Sequence, residues 1–120
     1  MISKEGSNPY INYFDKIRKE LKNMAMNKTV PMGYKEFCVK VLNLKFEYRQ
    51  FTTIVNKVCE LDYKREKPLL CTLLINNKKK LPGSGYFNHF KTYKFKEMTK
   101  EEFFNEQKDR VYAHDWLNEP

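Results

Sequence analysis

The sequence has few glycines and prolines and no long hydrophobic run. Its 120 residues include four glycines and five prolines, a composition that excludes collagen-like and linker-like chains. The longest apolar run, residues 69–75, is far shorter than the roughly 20 residues that span a bilayer. No apolar segment follows the first charged residues, which argues against a secretory signal. We therefore expect a soluble, cytoplasmic protein with no membrane partner.

Cysteine is also scarce. Cys38, Cys59 and Cys71 are an odd number of thiols without Cys-x-x-Cys spacing, which is typical of structural cysteines in a reducing compartment. Neither these residues nor His89 show the spacing of metal ligands. The sequence therefore predicts no metal and no cofactor.

Two short motifs invite a catalytic interpretation and do not sustain it. The segment 83–85 (Gly-Ser-Gly) lacks the Gly-Lys-Ser/Thr ending of a phosphate-binding loop, so its glycines are better explained by positive φ or close approach. His114 and Asp115 are adjacent in sequence with no nucleophile beside them, and capping of a helix end explains them better. We predict that the protein is not an enzyme.

Positive charge is abundant and unevenly placed. The 23 Lys and Arg residues exceed the 15 Asp and Glu residues, giving a formal charge of +8. Residues 1–60 carry a net +5, residues 61–96 a net +7 and residues 97–120 a net −4. A polyanionic partner is therefore expected at the middle third of the chain.

Helical periodicity dominates the first half of the chain. Asn8 and Pro9 predict the start of an amphipathic helix that continues to about Met26. A short helix over residues 34–42 and a second one over residues 47–62 follow, separated by a tight connection. This pair fits a helix-turn-helix, whose second helix usually reads DNA.

A β-hairpin is expected after the helix pair. Residues 69–75 are strongly apolar and bounded by turn signals, which predicts a largely buried strand. Residues 76–80 have turn chemistry, and Tyr86 and Phe87 would begin the returning strand. A hairpin in this position is a wing. The predicted fold is thus α+β, a winged helix-turn-helix of three helices and a β-hairpin, in a single domain of residues 1–120.

A further helix is expected in the acidic C-terminal extension of about residues 97–120. Thr99 and Glu102 match a capping box and predict a helix from Lys100 to about Tyr112. Trp116 is expected to pack beside its end.

The strongest functional signal is the segment 86–96, which follows shortly after three consecutive lysines. It contains five aromatic residues, three lysines and one histidine. Lysines neutralise phosphates and aromatic rings stack on unpaired bases, so the combination predicts largely sequence-independent binding of single-stranded DNA. Lys78, Lys79, Lys80, Lys91, Lys94 and Lys96 are assigned to phosphates, and Tyr86, Tyr93 and Phe90 to stacking.

Other interpretations of these residues stay open. Phe87, Phe90 and Phe95 equally fit the core of a small domain, and the three consecutive lysines equally fit a solvated turn. Arg49 and Lys57, in the second helix of the predicted pair, are also candidates for binding nucleic acid. If the partner is duplex DNA, a transcriptional regulator would read base edges from that helix with Arg49, Gln50, Thr53 and Asn56. In a third interpretation the chain is a mobile-element adaptor or inhibitor that docks on a host protein.

Two stretches carry a resemblance to a known family. Residues 68–87 combine an apolar strand, a turn and a Pro-Gly-x-Gly-aromatic stretch, and residues 110–116 end in Asp-Trp. Together they resemble the small single-stranded DNA-binding winged-helix proteins of staphylococcal cassette chromosome elements and related phage proteins. The resemblance implies a role in DNA replication or transfer of a mobile genetic element, with its replicative helicase as partner. It leaves self-association on DNA open.

Overall fold

Helices surround a buried central segment in the computed structural model, which describes residues 8–92 and 95–118. The fold is α+β and mostly helical, with a small parallel sheet of two strands. In chain order the elements are α1 (Phe14–Met26), β1 (Met32–Gly33), α2 (Tyr34–Glu36), α3 (Tyr48–Lys64), β2 (Leu74–Ile75), α4 (Ser84–Phe90) and α5 (Lys100–Ala113). Short 3-10 turns precede α1 (Ile11–Tyr13) and β2 (Leu70–Leu73), and a π-helical segment (Phe37–Val41) continues α2. No helix of the described ranges is long and apolar enough to cross a membrane.

The predicted first helix is confirmed from Phe14 to Met26, but its predicted start at Asn8 and Pro9 was wrong, because a 3-10 turn (Ile11–Tyr13) precedes the α-helix. The Asn8 side chain accepts a hydrogen bond from the Tyr10 amide at 2.9 Å, and α1 then ends at Met26. Its apolar stripe faces the core, as the spacing of Ile17 and Leu21 predicts, since both side chains are fully buried.

The predicted helix pair is confirmed as well. The first member is short because only Tyr34–Glu36 is α-helical before the wider π-helical turns begin. The second, α3, starts where the Glu47 carboxylate accepts hydrogen bonds from the amides of Arg49 and Gln50 at 3.3 and 2.8 Å. The negative charge of Glu47 also interacts favourably with the positive end of the helix dipole.

The central segment, residues 68–75, is buried along its whole length. Its predicted burial is confirmed, but only Leu74 and Ile75 form a strand. They pair in parallel with Met32 and Gly33, and the preceding four residues form a 3-10 turn. A short apolar run has no periodicity that separates a strand from a buried helical turn.

The predicted wing is not formed as a two-stranded hairpin. Asn76 and Leu81 make an isolated antiparallel bridge, and Tyr86 and Phe87 lie in α4 instead of a returning strand. The prediction of a returning strand was wrong because Tyr86, Phe87 and Phe90 have helical spacing, which places all three on the buried face of α4.

The C-terminal helix is integrated into the core. Its capping box is confirmed, since Thr99 Oγ1 accepts from the Glu102 amide at 3.0 Å and Glu102 accepts from the Thr99 amide at 2.8 Å. Phe103 and Val111 are buried. Trp116 packs beside the helix end, as expected, and its indole N–H donates to the Val111 carbonyl at 2.8 Å. The acidic part of the chain therefore contributes apolar core, while those of its carboxylates that the structure describes stay exposed.

An ion pair joins α1 to α3. Arg18 Nη1 donates to Asp62 Oδ2 at 2.5 Å, and the Asp62 side chain is almost completely buried whereas Arg18 is partly exposed. The Arg18 guanidinium also lies 6.0 Å from the centre of the Trp116 ring. Three separate parts of the chain thus converge on one arginine.

We expect the two halves of this ion pair to differ in their effect on stability. Arg18→Ala leaves a buried carboxylate without its partner and should lower the free energy of unfolding by about 3 kcal/mol. Asp62→Asn leaves an arginine that can turn to water, so its cost should be smaller. Urea unfolding followed by circular dichroism measures both, and a larger loss for Asp62→Asn would contradict this account.

Candidate nucleic-acid interface

The site begins with the basic turn, residues 76–80, which presents three exposed lysines. The Asn76 side chain accepts from the amides of Lys78 and Lys79 at 2.9 and 3.4 Å, and its carbonyl accepts from the Lys80 amide at 2.8 Å. The Asn76 amide then donates to the Leu81 carbonyl at 2.7 Å. Lys80, the last residue of the turn, has a positive φ of 58°. The backbone of the turn is therefore held by its own hydrogen bonds while the ammonium groups face water.

Two grooves flank the basic turn and share Tyr48 and Asn76. The first, here the Lys35 groove, has a volume of about 250 Å³, and the second, the Lys100 groove, about 240 Å³. The Lys35 groove is lined by Tyr34, Lys35, Phe46, Tyr48, Ile75, Asn76, Asn77 and Lys78. The Lys100 groove is lined by Tyr48, Asn76, Lys79, Leu81, Pro82, Gly83, Ser84, Phe87 and Lys100.

Lysine is the sole charged residue type among the described residues that line either groove. Lys35 and Lys78 line the Lys35 groove, and Lys79 and Lys100 line the Lys100 groove. The Lys100 ammonium is 5.5 Å from the centre of the buried Phe87 ring, a cation–π distance that keeps it over the groove. With no carboxylate among these lining residues, both grooves attract anions.

Tyr48 is the aromatic residue that lines both grooves. Its ring meets Tyr34 and Phe46 nearly at right angles, with ring centres 5.8 and 6.2 Å away. The residue is nevertheless 44% exposed. An aromatic ring that is held by two near-perpendicular ring contacts thus keeps a large part of its surface open to solvent.

A glycine makes room for this tyrosine. A Cβ atom on Gly83 would lie 2.6 Å from Tyr48 Oη, much closer than a van der Waals contact. Gly83 has φ −66° and ψ 168°, so the glycine is required by close approach and not by a positive φ. Its amide donates to Tyr34 Oη at 3.0 Å, which anchors the start of α4 under the grooves.

The structure brings together only part of the predicted site. Lys78, Lys79 and Lys80 lie side by side on the basic turn, whereas Lys91 is half-buried at the far end of α4 and Lys96 is exposed but lines neither groove. Tyr93 and Lys94 lie outside the described residues.

The assignment of Tyr86 and Phe90 to base stacking was wrong. Both side chains are buried in the core, with 1% and 0% of their surface exposed, so no base reaches them in this structure. The Tyr86 hydroxyl is paired with Thr72 Oγ1 at 2.6 Å. Their position on the inner face of α4 is the physical reason.

The α3 residues proposed for duplex DNA lie elsewhere. Arg49 is exposed in the first turn but lines neither groove, and Lys57 lines a separate groove between α3 and α4 together with Asn56 and Glu60. Asn56 and Lys57 are half-buried there. The hydroxyl of Thr53 donates to the Arg49 carbonyl at 2.8 Å, so that hydrogen is already used within the helix.

Sequence reasoning missed three groove residues. Lys35 and Lys100 each lie in the first turn of a helix and look like solvated charges. Tyr48 is three residues before the buried Phe51, a spacing that predicts burial on the same helix face. No signal in the sequence singles these residues out, because only the fold places them around the basic turn.

The adjacent His114 and Asp115 end α5. The Asp115 carboxylate accepts from the Asn118 side chain at 2.8 Å and from its amide at 3.3 Å, which holds the pKa of this carboxyl below its usual value. The His114 ring packs edge-on against Trp116, with ring centres 4.3 Å apart. Both side chains thus make contacts just after α5, but the Asp115 carboxylate bonds to the turn that follows the helix and does not cap the helix end as predicted.

Comparison of the chain with protein-family models, with curated proteins and with solved structures finds no significant match. The resemblance to mobile-element DNA-binding proteins therefore stays a prediction. Within residues 8–92 and 95–118, no group of three or more His, Cys, Asp or Glu side chains is placed to hold a metal ion.

The contact between Gly83 and Tyr48 predicts a coupled pair of substitutions. Gly83→Ala should lower the free energy of unfolding by about 1–2 kcal/mol because the added methyl group collides with Tyr48 Oη. Tyr48→Phe removes the colliding atom, and the next nearest atoms lie at 3.7 and 3.8 Å. The double variant should therefore recover most of the loss. Urea unfolding of the four proteins gives the coupling, and strictly additive effects would refute the contact.

Two buried tyrosines predict an alkaline limit to stability. Burial raises the pKa of Tyr34 and of Tyr86 well above its ordinary value of about 10. The folded state then keeps two protons that the unfolded state releases. Their contribution to stability is complete below about pH 10 and is lost as the pH rises toward the folded-state pKa, at up to about 1.4 kcal/mol per pH unit for each hydroxyl.

Tyr86→Phe removes one of these titrations, so its free energy of unfolding should fall less steeply with pH than that of the parent chain. Urea unfolding at several pH values from 9 upward measures the two slopes. Equal slopes would show that the Tyr86 hydroxyl does not titrate with unfolding.

Proposed function

We propose that the protein binds single-stranded DNA through the basic turn and the two grooves beside it. The observation that carries this proposal is the set of lysines from three separate parts of the chain, Lys35, the basic turn and Lys100, gathered around one exposed tyrosine. Positive charge follows a phosphate backbone, and an exposed ring suits unpaired bases.

Single-stranded DNA fits this surface better than duplex DNA does. The bases of a duplex are already stacked, so a surface aromatic ring gains little from them, whereas an unpaired base has a free π-face. Readout of duplex sequence usually places a helix with free polar groups in the major groove. The corresponding face of α3 is half-covered by α4 at Asn56 and Lys57.

We also propose that the fold is a variant of the winged helix-turn-helix. The helix pair formed by α2 and α3, followed by the basic turn, keeps the element order of a winged helix-turn-helix. We regard the basic turn, closed by the Asn76–Leu81 bridge, as the counterpart of the wing.

The sequence resemblance supports a biological setting for this activity. We propose a non-enzymatic role in DNA replication or transfer of a mobile genetic element, in the cytoplasm, with the replicative helicase of the element as partner. Co-purification of the helicase with the tagged protein, retained after nuclease treatment, would test that partnership.

We expect the three turn lysines to set the salt dependence of binding. Fluorescence anisotropy should show tighter binding to an oligo-dT than to a matched duplex, with log K falling steeply against log salt. Replacing Lys78, Lys79 and Lys80 by Gln should weaken binding and make the slope shallower by about 2, because each lost phosphate contact on a single strand removes about 0.7.

A matched control keeps the same change in net charge. Replacing Lys16, Lys19 and Lys22 of α1 by Gln removes three positive charges from residues that line neither groove. This variant should bind oligo-dT with nearly the parent slope. Equal or stronger binding to the duplex, or equal slopes for the two triple variants, would overturn the proposal.

A further inference from the structure

We infer that Tyr48 is the base-stacking residue of the interface, with the strand crossing its ring and phosphates bound on both sides. This inference rests on the proposed binding of single-stranded DNA and assigns a residue that the aromatic-basic pattern of the sequence did not reveal.

Exposure is the first argument. Tyr48 is the most exposed aromatic residue that the structure describes, at 44%, and the other described aromatic residues are buried or half-buried. Stacking needs an accessible ring face. The described aromatic residues of the segment 86–96 lie in the core or pack against it. The base-stacking role that the sequence predicted for Tyr86 and Phe90 is therefore assigned to Tyr48.

Position is the second argument. Tyr48 lines both grooves, and each groove is also lined by two lysines, Lys35 and Lys78 in the first and Lys79 and Lys100 in the second. In a single strand, every base is attached between two phosphates of the backbone. A base on Tyr48 therefore directs its two flanking phosphates toward the two pairs of lysines.

Orientation is the third argument. Tyr34 and Phe46 meet the Tyr48 ring at 89° and 79°, and the Tyr48 hydroxyl lies over Gly83 where any side chain would collide with it. The two ring contacts restrict the orientation of the Tyr48 ring before the strand arrives, and Gly83 leaves room for its hydroxyl. Stacking then costs little additional side-chain entropy.

The test separates stacking from charge. Tyr48→Leu keeps apolar bulk against Tyr34 and Phe46 but has no π-face, and Tyr48→Phe keeps the ring. We expect Tyr48→Leu to weaken oligo-dT binding roughly 5- to 150-fold at every salt concentration, with an unchanged salt slope. Tyr48→Phe should stay close to the parent protein. Tyr13→Leu is the matched control, because Tyr13 is half-buried and lines neither groove.

A second measurement uses the ligand instead of the protein. An oligonucleotide of abasic sites keeps the phosphates and removes the bases, so the parent protein should bind it more weakly than oligo-dT. The Tyr48→Leu protein should bind both nearly equally. Equal binding of the two oligonucleotides by the parent protein would overturn the stacking inference.

The outcomes also distinguish this inference from the proposed function. If the parent protein does not bind oligo-dT, the proposed function fails. If it binds with a steep salt slope while Tyr48→Leu and the parent protein bind equally, single-strand binding stands and Tyr48 is not the stacking residue. Urea unfolding of each variant confirms that the comparison is made between folded proteins.

Discussion

Residues 68–75 are buried from end to end, so the backbone N–H groups of this central segment need hydrogen-bond partners inside the protein. The Leu69 amide donates to Gln107 Oε1 of α5 at 3.3 Å, and the Cys71 amide donates to Cys59 Sγ of α3 at 2.9 Å. The last two residues of the segment pair with β1. Satisfying one stretch of backbone therefore ties three distant elements together, and the helices pack around it.

The same constraint creates the candidate site. Because β2 pairs in parallel with β1, the chain leaves the core beside the start of α2 and continues at once into the basic turn, of which residues 77–80 are exposed. The basic turn packs closely against Gly33, where there is no room for a side chain, since a Cβ atom there would lie 2.5 Å from Asn77 Oδ1. Gly83 then lets the chain pass under Tyr48. Two glycines without positive φ thus set the shape of both grooves through close approach.

Local signals predicted much of the fold. The first helix up to Met26, the helix pair and the Thr99–Glu102 capping box depend on neighbours in sequence, and all are found in the structure, although the first helix starts at Phe14 and not at Asn8. The returning strand failed because aromatic residues suit strands in general, whereas their spacing in α4 suits one buried helix face. The excess of lysine in the middle of the chain was also visible in the sequence, but its position relative to an exposed ring was not.

The sequence by itself determined α1, the helix pair and α5, the burial of the central segment and the exposed lysine turn, because hydrophobic periodicity, capping and turn chemistry act over a few residues. Tertiary structure decided which aromatic rings are accessible and which lysines are neighbours. Tyr86 and Tyr48 look alike in the sequence, yet packing buries the first and exposes the second. Lys35 and Lys100 are 65 residues apart and meet at one surface only after the chain has folded, since long-range proximity is set by the packing of the core.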